Sequence, residues 1–108
     1  MNHDIISNIL DQHDVVLFMK GTPDRPACGF SRVVSTILSL HQTPFHSIDV
    51  LEDPTMRQDI KEFSGWPTFP QLYVSGELIG GCDIVQAMHE SGELATLLKS
   101  FKKETVSP

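Results

Sequence analysis

Val15-Val16-Leu17-Phe18-Met19-Lys20-Gly21-Thr22-Pro23-Asp24-Arg25-Pro26-Ala27-Cys28-Gly29-Phe30-Ser31 is the stretch that decides the fold. Its first five residues are apolar without a break, β-branched at the start and aromatic near the end, the pattern of a buried strand. Gly21 to Gly29 then holds two prolines and two glycines, which excludes regular structure there. Beyond it, apolar residues at 30, 33, 34, 37, 38 and 40 recur at helical spacing. A strand therefore runs through a tight loop into a helix, and a cysteine stands at the corner.

The rest of the chain extends this unit in both directions. Ile5, Ile6, Ile9 and Leu10 predict a helix over residues 2–12. Thr43-Pro44 ends the helix after the corner, and Phe45 to Val50, imperfectly alternating, predicts a second strand. Asp53-Pro54 supplies an N-cap and a first helical proline for a helix that runs to about Phe63 and stops before Gly65. Gln71 to Val74 and Glu77 to Ile79, joined by Ser75-Gly76, read as a β-hairpin. Asp83 to Glu90 and Leu94 to about Phe101 read as two helices broken at Ser91-Gly92. Lys102 to Pro108 reads as a loose polar tail. The strand–helix–strand half calls for parallel pairing and the hairpin for an antiparallel edge. The expected architecture is thus an α/β thioredoxin-like fold, a four-stranded mixed sheet flanked by helices. Residues 1–108 are expected to form one domain with its core at about 3–101.

Composition narrows the function. The chain has 108 residues, 40% hydrophobic and 20% charged, enough for one ordinary core. Fourteen acidic and eight basic residues leave a net charge of −6, which argues against nucleic acid or an anionic membrane as partner. The longest apolar run is Val15–Met19, far short of the roughly 20 residues of a membrane span. Met1-Asn2-His3-Asp4 lacks the basic start and apolar stretch of a secretory signal. A soluble protein of the bacterial cytoplasm is expected, with an organelle matrix after presequence removal as the alternative. The two cysteines, Cys28 and Cys82, cannot build a disulfide scaffold or a four-cysteine zinc site in one chain. His3, His13, His41, His46 and His89 show no metal-ligand spacing and read as solvated or structural. Trp66 reads as a packing residue. No phosphate loop, Gly-x-Ser-x-Gly run or paired-carboxylate motif is present.

Cys28 is the informative residue. The first-turn amides and dipole of the following helix favour its thiolate, and Lys20 and Arg25 can add positive charge. That marks it as a reactive or metal-ligating thiol rather than a small buried hydrophobe. Dithiol enzymes carry Cys-x-x-Cys at such a corner, but here position 31 is serine. A hydroxyl cannot resolve a mixed disulfide, so exchange through Cys28 needs an outside thiol or Cys82 brought close.

Lys20-Gly21-Thr22-Pro23, Cys28-Gly29-Phe30-Ser31, Trp66-Pro67-Thr68-Phe69-Pro70-Gln71, Gly80-Gly81-Cys82-Asp83 and Met88-His89-Glu90-Ser91-Gly92-Glu93-Leu94 together resemble the signature blocks of the monothiol glutaredoxins. The resemblance spans about residues 3–101. It implies a homodimer bridged by a 2Fe–2S cluster, held with glutathione and passed to iron–sulfur recipient apoproteins, and pairing with a BolA-like protein. The ligand arithmetic permits this. Such a cluster takes four thiolates, and one Cys28 from each of two chains leaves two places for glutathione. Two chains each giving both cysteines would also total four. An enzyme reading, glutathione-dependent thiol–disulfide exchange at Cys28, and a regulatory adaptor stand as alternatives.

The resemblance also suggests a glutathione pocket. Lys20 and Arg57, with Lys61 a weaker candidate, suit the carboxylates. Pro70 matches a family proline in a cis bond, which exposes the backbone of Phe69, within Thr68-Phe69-Pro70, to pair with an extended peptide. The Gly81-Cys82-Asp83 segment lies at a helix start, where amides suit the γ-glutamyl carboxylate and Asp83 its ammonium. Cys82 reads as a pocket wall, with resolution of a Cys28 disulfide as a possible second role.

Overall fold

The structure is a computed structural model that describes residues 3–101; Asn2 and the expected tail 102–108 lie outside them. In chain order it has α1 (His3–Gln12), β1 (Val15–Met19), α2 (Gly29–Leu40), β2 (His46–Asp49), α3 (Pro54–Ser64), β3 (Gln71–Val74), β4 (Glu77–Gly80), α4 (Cys82–Ser91) and α5 (Glu93–Leu98), closed by a 3₁₀ turn at Lys99–Phe101. The sheet order is β2-β1-β3-β4. β1 runs parallel to β2 and antiparallel to β3, and β3 and β4 pair antiparallel. This is the expected thioredoxin-like mixed sheet.

All five residues of β1 are buried because the strand has a core on each face. Val15, Leu17 and Met19 pack with α2, α4 and α5 residues such as Val34, Leu38, Val85 and Leu94. Val16 and Phe18 pack on the other face with Ile6, Leu10, Ile60 and Tyr73. The period of two sends alternate side chains to opposite layers, so both sets must be apolar.

Most differences from the sequence reading lie at element ends. β2 is shorter than Phe45–Val50: Val50 leaves the strand, although its N–H still donates to the Met19 carbonyl at 2.9 Å. α2 begins at Gly29 rather than Phe30 because Cys28 itself caps it. α4 begins at Cys82 rather than Asp83, and the last helix splits at Leu98 into α5 and the 3₁₀ turn. The loop read as irregular carries one isolated bridge, Gly21 to Pro26. Asp53 caps α3 as expected, accepting from Met56 N–H at 2.9 Å, and Gly65 ends it in the left-handed region. Ser75 and Gly76 both have positive φ, 51° and 81°, the geometry of a type I′ hairpin turn.

Topology gathers four segments at one edge of the sheet. They are the loop leaving β1, the end of β2, the segment entering β3 and the junction of β4 with α4. Asp49 ties the first two together: its carboxylate accepts from Gly21 N–H and Leu51 N–H, each at 2.9 Å. Gly21 has φ 86°, and a Cβ there would stand 2.4 Å from the Arg25 carbonyl oxygen, so only glycine lets the loop fold back this tightly.

Candidate functional site

A residue that caps a helix must offer an acceptor to the first free amides. Cys28 does so with sulfur. Its extended backbone (φ −149°, ψ 156°) starts α2, and its Sγ accepts from Ser31 N–H at 3.4 Å. The Ser31 side chain is fully buried, and its Oγ lies 3.4 Å from the same sulfur. That oxygen also accepts from Lys20 N–H at 3.1 Å; the Cys28 thiol donates to it, and for the thiolate the hydroxyl turns its proton to the sulfur instead. Partial burial pushes the Cys28 thiol up. The Ser31 hydroxyl, the Ser31 and Phe30 amides and the Lys20 ammonium outweigh it, and the net result is a thiol below its ordinary value. Lys20 is the cation that acts on the sulfur. Arg25 instead closes the loop through its main chain, exchanging hydrogen bonds with Thr22 at 3.1 and 3.2 Å.

Beside this thiol lies a cleft of about 430 Å³. Of the residues singled out in the sequence, Lys20, Thr68, Phe69, Pro70, Gly81, Cys82 and Asp83 line it. Cys28 adjoins it through Lys20 and Phe30, and the Cys28 charge also reaches Cys82. Arg57 and Lys61 are half-buried on α3 and are not part of the wall. The Phe69–Pro70 bond is cis. The Phe69 side chain packs in the core between the sheet and α1–α3. Phe30, Trp66 and Ile84 complete the wall, and Phe30 is 62% exposed. Phe30 and Trp66 lie in the signature blocks and Ile84 in none; what makes all three wall residues is the meeting of segments distant in the chain.

The far side of the cleft is the start of α4. Gly81 caps it with no side-chain acceptor, so its first amides are open to a ligand. Cys82 is buried in the α2–α4 core and its Sγ donates to Gln86 Oε1 at 3.6 Å. Burial, with the charges of Asp83 and Cys28, pushes this thiol up. One thiol of the pair is thus poised as a nucleophile or ligand and the other is held protonated.

In sequence, Ser31 reads only as the absent second cysteine. Its part in holding the Cys28 thiolate comes from its place beside the sulfur and Lys20 N–H, and no spacing rule signals that. Four of the five histidines form two pairs far apart in sequence: His13 and His46 stack with ring centres 4.0 Å apart, and His41 Nε2 lies 2.9 Å from His89 Nδ1. Among the described residues, no three His, Cys, Asp or Glu side chains gather to hold a metal ion.

The glutaredoxin family model matches residues 15–79. A Rickettsia typhi protein, "Probable monothiol glutaredoxin 2", is 52% identical over 102 residues, covering 94% of this chain and 92% of its own. The rice (Oryza sativa subsp. japonica) "Monothiol glutaredoxin-S11" is 55% identical over 94 residues; the match covers 87% of this chain but only 19% of that much longer protein. The solution structure of reduced poplar apo GrxS14 superposes with a TM-score of 0.79 at 48% identity, covering 91% of this chain and 90% of that one.

Proposed function

The chain belongs to the monothiol glutaredoxin family, and from that premise we propose that it is a glutathione-dependent carrier of 2Fe–2S clusters. The observation that carries the reading is the Cys28 thiol, held below its ordinary value at a helix start with Ser31 where a second thiol would stand. A ligating cysteine must be a thiolate, and this site stabilises one with a serine, which cannot close a disulfide, three residues on. Among the described residues no three His, Cys, Asp or Glu side chains gather to hold a metal ion, so a cluster needing four thiolates would take one Cys28 from each of two copies and the remaining two from glutathione.

The cleft suits glutathione by its chemistry. Lys20 would meet one carboxylate, the uncapped start of α4 the other, and Asp83 the ammonium. Phe69, within Thr68-Phe69-Pro70, would offer its main chain to the peptide in strand fashion, with Gly81 and Cys82 as the opposite wall. Arg57 would need to reach in from α3. A carrier must also release its cargo. Ligands that are half exchangeable thiols make release easy, and iron–sulfur apoproteins are the expected recipients. A BolA-like protein would replace one copy in a mixed pair. A reducing compartment, cytoplasm or organelle matrix, fits two free cysteines, and residues 1–108 would form one domain.

Anaerobic reconstitution with iron, sulfide and glutathione tests this. A glutathione-dependent visible chromophore and a doubled solution mass are expected, both lost in Cys28→Ser. A chromophore that survives that change, or that forms without glutathione, overturns the reading.

The lowered thiol also favours a second reading, thiol–disulfide exchange. The Cys28 thiolate would attack a glutathionylated thiol, release the substrate as thiolate and form a Cys28–glutathione disulfide. A second glutathione thiolate would then release glutathione disulfide and restore Cys28. Rapid turnover of a small glutathionylated substrate, with no cluster formed, would favour this reading.

A further inference from the structure

We propose that Gln71 is a positioning residue that braces the ligand-facing wall of the cleft from behind. It opens β3 opposite Phe18 and is fully buried. A buried amide is costly unless its groups find partners, and each end of this one does. Nε2 donates to the Trp66 carbonyl at 3.0 Å and to the Thr68 carbonyl at 3.2 Å. Oε1 accepts from the Tyr73 hydroxyl at 3.0 Å. Two carbonyl acceptors at one end require the NH₂ group there, which fixes the orientation of the amide.

The Tyr73 ring is in turn held by an edge-on contact with Phe18, centroids 5.5 Å apart. A second anchor acts from α3: Trp66 N–H donates to Ser64 Oγ at 3.0 Å. The Trp66 main chain is thus held at both its N–H and its C=O, and Thr68 at its C=O. Both residues line the cleft.

The inference rests on the glutathione reading. What the brace would fix is the direction of the Thr68–Phe69 main chain that the peptide would pair with. A wall left loose in the free protein must be ordered on binding, and affinity falls by that amount. Gln71→Met keeps the bulk and removes both donors and the acceptor. Tyr73→Phe keeps the ring and removes the hydroxyl, which orients the amide and also bonds to Ser64, the second anchor.

The test is calorimetric titration of reduced glutathione into each variant well below its melting temperature, with the Thr68 and Phe69 amide resonances followed alongside. Gln71→Met is expected to raise the glutathione Kd about tenfold and Tyr73→Phe about threefold. The two amide resonances should shift in the free protein in the same order. A merely structural glutamine would lower both melting temperatures and leave Kd and the amide shifts at wild-type values, and that outcome overturns the proposal alone. Absence of glutathione binding by the wild type overturns the glutathione reading and this one together. Should Gln71→Met fail to fold, Tyr73→Phe decides: an unchanged Kd overturns the brace and a raised one supports it.

Discussion

Two helices begin beside the same cleft, each with a cysteine at its start, and the two thiols are driven in opposite directions. Cys28 occupies the cap of α2, outside the first turn, and its sulfur faces the free amides and the Ser31 hydroxyl. Cys82 is one step further in, the first residue of α4, a member of the buried cluster that also holds Val85 and Leu94, with its sulfur donating to Gln86. The first thiol is lowered and the second raised. A helix start therefore does not activate a cysteine by itself. Cys28 is lowered by the Ser31 hydroxyl first, then by the amides its cap position lets it turn back onto, and by Lys20.

The sharpest way to break this contrast is to remove one thiol at a time. Cys28→Ser should abolish the fast phase of alkylation by iodoacetamide, and Cys82→Ser should keep it; a fast phase in Cys28→Ser would show that Cys82 is the reactive group. The next largest effect is expected in the loops that present the two cysteines. Gly21→Ala places a Cβ 2.4 Å from the Arg25 carbonyl oxygen at φ 86° and should cost about 2 kcal/mol or more in denaturant unfolding. A normal unfolding midpoint would mean that the loop before Cys28 can open without loss.

Ser31→Ala tests the donor. It removes a hydrogen bond to the thiolate and should raise the Cys28 titration midpoint and slow alkylation near neutrality about tenfold. The same pH series carries a sign. Cys28 titrates below its unfolded value, so its reactivity falls as pH drops through the folded value. Its contribution to stability is present above the unfolded value and is lost over that same fall. Cys82 titrates above its unfolded value, so its contribution is present below that value and is lost as pH rises through the folded one. Alkylation of the wild type should therefore rise in two waves, with only the lower moved by Ser31→Ala. The smallest effect is expected at the second corner: Gly81→Ala meets only ordinary contacts at 3.4 Å and beyond and should change stability by about 1 kcal/mol or less.

These same residues show what could be read before any coordinates. Val15–Met19 announces a central strand because both faces of it are buried, so hydrophobicity alone carries the signal. Asp53-Pro54 announces α3 because capping is local to a few residues. Cys28 stands out for the same reason, at the end of a loop and the start of a helical stripe. Ser31, Gln71 and Asp49 do not stand out, since each acquires its meaning from partners the chain brings near: Lys20 N–H, the Trp66 and Thr68 carbonyls, and Gly21 N–H. The burial of Cys82 was equally hidden, because a cysteine after two glycines reads as well in a loop as in a core. Polar residues that hold a loop from behind follow no period, and periodicity is what a single sequence displays.

The Ser75-Gly76 turn sits at the pole of the sheet opposite the cleft, next to the start of β1, where Ser75 N–H donates to the Asp14 carbonyl at 2.7 Å. Both residues are exposed, and a Cβ on Gly76 would meet nothing within 4 Å. This end of the molecule is thus a handle. A fluorophore, an affinity peptide or a surface tether attached there leaves both cysteines, the Thr68–Phe69 wall and the start of α4 facing away from the attachment. Immobilised by that turn, the protein would present its reactive edge outward in one orientation, ready for partners to be passed over it.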